Sequence, residues 1–129
     1  MKRAAWAFAP VLAYAAVIFA LSAQSDPFPF LPPEIFLQDK LLHAAEYAVL
    51  GGLLVFALRA AGLRPGVALL AAVVIASAFG ATDEFHQSFV PGRTADVADW
   101  VADTLGAAVG ALFGALVSTA ALRLPGRAG

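Results

Sequence analysis

Asp83–Gly110 reads DEFHQSFVPGRTADVADWVADTLGAAVG. Five of the nine acidic residues, one of the two histidines and Arg93 fall within it. It lies between apolar runs, in a 129-residue chain that is 61% hydrophobic and 13% charged. An ionisable side chain at the centre of a membrane helix costs about 2.5–3.5 kcal/mol on insertion scales, so a cluster of them needs partners or a purpose. Asp96, Asp99, Asp103, Gly106 and Gly110 are spaced three, four, three and four. That spacing places them on one helix face, and Gly114 extends the glycine series. Small residues four apart let a second helix approach closely, so the acids above them face a helix rather than lipid. Pro91-Gly92 reads as a turn. The stretch is therefore one helix ending, a turn, and another helix beginning.

Working outward, four apolar runs have spanning character. Ala4–Ala23 has about the 20 residues that a bilayer-crossing helix needs. Pro10 should kink it, and the basic Lys2-Arg3 start leaves a cleaved leader as a rival reading. Residues 39–61 form a second expected helix, ended by Gly62 and Pro65-Gly66. Residues 67–87 form a third, which has to run through Asp83 and Glu84 to be long enough. The fourth is expected at 95–122. Between the first two lies an apolar loop, 24–38, whose four prolines forbid a regular helix. Its rings suit the headgroup layer. The expectation is one all-α domain, 1–129, built as a bundle of four transmembrane helices.

Lys2, Arg3, Arg59, Arg64, Arg123 and Arg127 fall on one side of this topology, and Lys40 and Arg93 on the other. Basic residues favour the cytoplasmic side, which predicts N-in, C-in. Asp39, Lys40, His43, Glu46 and Tyr47 then open the second helix at its outer end. Asp83, Glu84, His86 and Gln87 close the third there, and Asp96, Asp99 and Asp103 open the fourth. Residues from three helices are thus sent to one membrane face. Asp39, His43 and Glu46 share a stripe, as do Lys40, His43 and Tyr47. Trp6 and Trp100 read as interfacial belt residues.

The composition narrows the function classes. A mean hydropathy of +0.82 is far above that of a soluble domain. Near-balanced charge, 8 basic against 9 acidic residues, argues against a nucleic-acid partner. The absence of cysteine rules out disulfides, thiolate nucleophiles and Cys-ligated metals. There is no nucleophile elbow, H-E-x-x-H or P-loop.

The pattern D-K-L-L-H-x-x-x-Y followed by D-E-x-x-Q-x-F-x-P-x-R-x-x-D-x-x-D, then two glycines four apart, resembles the VanZ-like family of small bacterial membrane proteins. Asp39, Lys40, His43 and Tyr47 carry the first part. Asp83, Glu84, Gln87, Phe89, Pro91, Arg93, Asp96, Asp99, Gly106 and Gly110 carry the second. The resemblance covers nearly the whole chain and is weakest in the first helix. It implies a four-helix protein of the bacterial cytoplasmic membrane. The family's namesake is associated with lowered susceptibility to the glycopeptide teicoplanin, and the resemblance does not fix a molecular activity. At Asp103 the family more often has Asn.

Three readings of the polar residues stay open. The first is an enzyme acting at the outer leaflet on a lipid-linked or glycopeptide-related envelope molecule. His43, Asp83, Glu84 and Asp99 are its candidate catalytic groups. Lys40, Tyr47, Gln87, Arg93 and Asp96 are candidate substrate contacts, with Arg93 and Lys40 suited to a phosphate-bearing headgroup. Asp83, Glu84, Asp96 and Asp99 form a candidate oxygen-ligand set for Mg²⁺ or Ca²⁺. The second is a non-catalytic binder or translocator of an amphiphile, which four short helices would support only as a homo-oligomer. The third is a structural protein whose buried polar network fixes helix packing, with Gly106, Gly110 and Gly114 as the packing face.

Overall fold

The computed structural model describes residues 2–26, 30 and 36–123. The described residues form five helices: α1 (Lys2–Ala7), α2 (Ala9–Ser22), α3 (Phe36–Ala60), α4 (Pro65–Gln87) and α5 (Val97–Arg123). Four segments are long and apolar enough to cross a membrane: Ala5–Ser22, Asp39–Ala60, Pro65–Gln87 and Val97–Ala120. These segments have 18 to 24 residues. With a helical rise of about 1.5 Å per residue, such lengths match a hydrocarbon core roughly 30 Å thick. The chain is an all-helical membrane protein. The four prolines of the apolar loop expected at 24–38 lie outside the described residues, and its last three positions, 36–38, instead open α3, which therefore starts before the expected 39.

The helix ends differ from the sequence reading for local reasons. The first span is expected to be one kinked helix, and it is instead two. Pro10 sits in the first turn of α2 and donates no N–H to the turn below. The break falls at Phe8, whose N–H reaches back only three residues to the Ala5 carbonyl at 3.2 Å. Helix α4 starts at Pro65 rather than 67. The residue before it, Arg64, is extended, with φ -65 and ψ 151. Proline imposes that conformation on its predecessor and is itself suited to the first helical position. Gly62 alone ends α3. Its positive φ closes the last turn, with Gly62 N–H donating to Arg59 O and Leu63 N–H to Leu58 O, as glycine does at helix ends. Helix α5 starts at Val97, not 95, because Asp96 caps it. The Asp96 carboxylate accepts from Ala98 N–H at 2.8 Å. Such a bond satisfies a backbone donor that has no partner within the helix.

Large apolar side chains point outward, among them Phe56, Leu70, Val74, Leu105, Val109 and Phe113. On α4 and α5 the inward positions are mostly small, while α3 buries Tyr47, Leu50, Leu54 and Val55. On α4 the buried stripe is Ala68, Ala72, Ala76 and Gly80, continuing into Asp83, Glu84 and Gln87. On α5 the buried residues Ala111 and Ala107 give way to Asp103 and Asp99. Each inward stripe thus changes from small apolar to acidic at one end of the bundle.

Helices α3 and α5 make the most extensive contact. A Cβ at Gly106 would overlap the Ala44 backbone, one at Gly110 the Ala48 backbone, and one at Gly51 the Ala107 backbone. Gly114 lies against Gly52 one turn further on. The glycine face of α5 therefore meets Ala44, Ala48 and Gly52, a small-xxx-small series on α3. With the backbones this close, the polar residues one turn beyond have no room to avoid one another.

Candidate functional site

Helices α3, α4 and α5 bring their acidic ends together, joined by the end of α2. Lys40 Nζ sits at the outer end of the α3–α5 contact. It donates to Asp39 at 3.0 Å, to Asp96 at 2.9 Å and also to Asp99. One turn deeper, His43 faces Asp103, with Nδ1 at 3.0 Å from Oδ1. Its Nε2 lies 3.9 Å from Asp39 and 3.7 Å from Asp99. With an ionised Asp103, the Nδ1 proton is donated to the carboxylate and Nε2 is turned toward the two outer acids. Asp103 is 1% exposed and fits because α4 has Gly80 opposite it. A Cβ there would meet Asp103 Oδ2 at 3.2 Å.

Helix α4 adds its own side. Glu84 Oε2 accepts the Asp96 backbone N–H at 2.8 Å, which ties α4 to the start of α5. Gln87 lies a turn beyond Asp83, its Nε2 at 3.5 Å from Asp83 Oδ2. Lower on the same interface, Trp100 Nε1 donates to Ser77 O at 3.0 Å, and the Ser77 and Thr104 hydroxyls meet at 2.9 Å. Trp100 is thus joined to α4 while its ring stays partly exposed.

The turn between α4 and α5 positions Arg93. Val90 to Arg93 forms a turn with Pro91 and Gly92 at its centre, closed by Arg93 N–H donating to Val90 O at 3.1 Å. Gly92 has a positive φ of 81°. A type II turn requires a positive φ at that position, which glycine adopts without strain. Ser25, just past α2, donates its hydroxyl to Pro91 O at 2.6 Å and so fixes the turn to the first span. Among the described residues the Arg93 side chain makes no hydrogen bond or ion pair.

Among the described residues, three cavities border this cluster. An open polar cleft of about 460 Å³ is walled by Lys40, Asp39, Asp96 and Asp99, with Arg93, Gln87 and His43 at its inner side. Behind it a chamber of about 30 Å³ is bordered by His43, Glu46, Asp83, Gln87, Arg93 and Ser22. That is room for about two waters. Arg93, His43, Gln87 and Asp39 border both spaces. On the outer side of α4 and α5, an apolar groove of about 340 Å³ runs past Phe85, Val97 and Trp100, with Glu84 and Asp96 at its edge. Asp96 belongs to both the cleft and the groove.

The residues singled out in the sequence have different fates here. His43, Gln87, Arg93, Asp96 and Asp99 line the cleft. Asp83 lines the inner chamber, and Glu84 lies on the groove side. Tyr47 is 1% exposed, borders none of these spaces, and packs against Phe79. Lys40 is already shared by three carboxylates, so its charge is engaged before any ligand arrives. No three of Asp83, Glu84, Asp96 and Asp99 form a metal-sized group. The groups close enough for that, among the described residues, are Asp39/His43/Asp99 and His43/Glu84/Asp103. Spacing alone assigns Asp103 no catalytic or ligand role and does not single out Gly80. Asp103 does carry a signal, since it continues the Asp96–Asp99 stripe one turn inward.

A four-span helical membrane protein, with a composite polar site at one end of a glycine-packed bundle, is the class this fold and site define. The sequence model of the VanZ/LLP1 family matches residues 6–118, and the chain belongs to that family. No curated protein and no solved structure matches the chain.

Proposed function

We propose that this chain binds and acts on a phosphate-bearing lipid headgroup of the bacterial cell envelope, at the outer face of the cytoplasmic membrane. The observation that carries the reading is Arg93. It is the cation at the site with no ion-pair partner among the described residues, and it borders both the cleft and the inner chamber. A guanidinium held this way suits two phosphate oxygens at once. The apolar groove supports an amphiphile, because Asp96 edges both groove and cleft. A headgroup in the cleft could therefore lay its chain along Phe85 and Trp100. Three carboxylates around one ammonium leave the cleft wall net negative, which favours a headgroup carrying an amine beside its phosphate. The outer-face assignment rests on the distribution of the basic residues, which are concentrated at the opposite ends of the spans. His43, with one ring nitrogen fixed by Asp103 and the other turned to the cleft side, is the group placed for chemistry.

One observation favours a structural role for part of the cluster. Lys40 joins Asp39 of α3 to Asp96 and Asp99 of α5, so it belongs to the frame of the cleft.

The test is mass-spectrometric analysis of lipids retained by the purified protein, together with lipid profiles of membranes with and without it. Phosphatidylethanolamine should be retained over phosphatidylglycerol. Arg93→Ala should lower retention at least tenfold while the fold persists. Equal retention by wild type and Arg93→Ala, with unchanged membrane lipids, would sink the reading.

A further inference from the structure

The charges at the inner end of the site do not balance. Lys40 serves Asp39, Asp96 and Asp99 at the rim. Glu84 and Asp103, which group with His43, are 7% and 1% exposed. Each has one oxygen anchored and one without a partner. Glu84 Oε2 accepts from Asp96 N–H and Asp103 Oδ1 from His43, whereas Glu84 Oε1 and Asp103 Oδ2 meet no donor among the described residues. A buried carboxylate oxygen without a donor is costly, and two beside one imidazole call for a positive group.

The geometry points to a divalent cation bound by His43, Glu84 and Asp103, one ligand from each of α3, α4 and α5. One ligand atom from each lies within 4.8 Å of the others. Closing on an ion at about 2.0–2.2 Å draws them in by roughly an ångström, within the reach of side-chain rotation. The alternative group, Asp39/His43/Asp99, is disfavoured because the Lys40 ammonium already bonds both of its carboxylates. A dication there would face a fixed positive charge. The inner group has no such neighbour.

One imidazole and two carboxylates suit Zn²⁺ or Mn²⁺ better than Mg²⁺ or Ca²⁺, which prefer oxygen alone. Three protein ligands leave coordination positions open to water. The hydrogen bond from Asp96 N–H to Glu84 Oε2 orients that carboxylate from behind, as outer-shell contacts do at metal sites. Binding displaces the proton that His43 and Asp103 share, so uptake should release protons. This site stands whether or not the cleft takes a phosphate-bearing lipid.

The experiment uses the full chain in detergent, stripped with chelator, and titrated calorimetrically with ZnCl₂, MnCl₂, MgCl₂ and CaCl₂. One equivalent of Zn²⁺ or Mn²⁺ should bind at least tenfold more tightly than Mg²⁺ or Ca²⁺, with proton release. Glu84→Gln and Asp103→Asn should each weaken binding at least tenfold. Because the chain has two histidines, ring-nitrogen NMR of His86→Gln reports His43 alone, and Zn²⁺ should shift its signal. This readout holds even where a carboxylate variant fails to fold. No binding to the folded wild type overturns the assignment. So does an unmoved His43 signal, or loss of binding in Asp39→Asn with Glu84→Gln unaffected.

Discussion

His43 Nδ1 and Asp103 Oδ1 meet at 3.0 Å across the α3–α5 interface, one turn beyond the point where Gly106 touches the Ala44 backbone. The close helix approach and the buried polar pair are therefore one feature. Asn at position 103 would still accept the His43 proton, and Ala would not. In chelator-treated protein, Asp103→Asn should change stability by under about 1 kcal/mol, and Asp103→Ala should cost about 1–3 kcal/mol, as expected for a buried donor left without its partner. Thermal unfolding in detergent distinguishes the two. Equal losses would mean that the contact contributes no stability.

Gly106→Ala and Gly110→Ala should each disrupt the bundle. A methyl at either position overlaps helix backbone on α3, so the helices must separate along their most extensive contact. Overpacking of this kind costs about 1–3 kcal/mol, and more where backbone has to move. Gly66→Ala is the control, because nothing lies within 4 Å of its added methyl. Comparable melting temperatures for Gly110→Ala and Gly66→Ala would contradict the packing described.

Gly92→Ala should loosen Arg93 without touching the core. The strain is in the backbone, which has a positive φ there, since the added methyl meets only Ser25 at ordinary contact distance. A non-glycine residue held in that region costs about 1–3 kcal/mol. Lipid retention should fall together with the turn, and restoring glycine at 92 should recover it. Full retention in Gly92→Ala would separate Arg93 placement from lipid binding.

The sequence was most legible where periodicity and lipid chemistry agree. The spans follow from apolar run lengths, and the inward acids of α5 follow from their register with Gly106 and Gly110. Partner choice was not legible. The Ala44, Ala48 and Gly52 series lies in plain view, yet spacing alone does not say which helix meets the glycines. The metal quartet Asp83/Glu84/Asp96/Asp99 failed to assemble for a similar reason. Position along a helix gives depth, not distance across the bundle. Asp96 became a helix cap bonded to Lys40, while Asp103, one turn deeper than expected for the site, came to face His43. The break at Phe8 shows a proline acting through the turn before it, where the sequence suggested only a kink at Pro10.

Acid should weaken the start of α5. The hydrogen bond from Lys40, followed by that from Ala98 N–H, holds the Asp96 carboxyl below its ordinary value of 3.8. A group whose folded-state value is depressed contributes stability above its unfolded value and loses it as pH falls through the folded one. The contribution is therefore complete above about pH 4 and fades below it. Asp96→Asn keeps the cap but removes the titration, so its amide exchange near Ala98 should lose this pH dependence. The same acid-dependent fraying in Asp96→Asn would assign the effect to another group.

Lys40 and Arg93 should behave as opposites. Both are basic and both border the cleft, but Lys40 is tied to three carboxylates and Arg93 to none among the described residues. Removing Lys40 leaves Asp39, Asp96 and Asp99 facing one another with no shared cation, so their mutual repulsion goes unopposed. Lys40→Met should therefore lower the melting temperature sharply and weaken the α3–α5 contact. Arg93→Ala should leave the melting temperature almost unchanged, because among the described residues its side chain makes no hydrogen bond or ion pair, while lowering lipid retention at least tenfold. Measuring melting temperature and retained lipid on the same two preparations checks both halves. A stable Lys40→Met with impaired retention would move Lys40 from the frame to the ligand contacts. A destabilised Arg93→Ala would reveal a structural role that its geometry does not display.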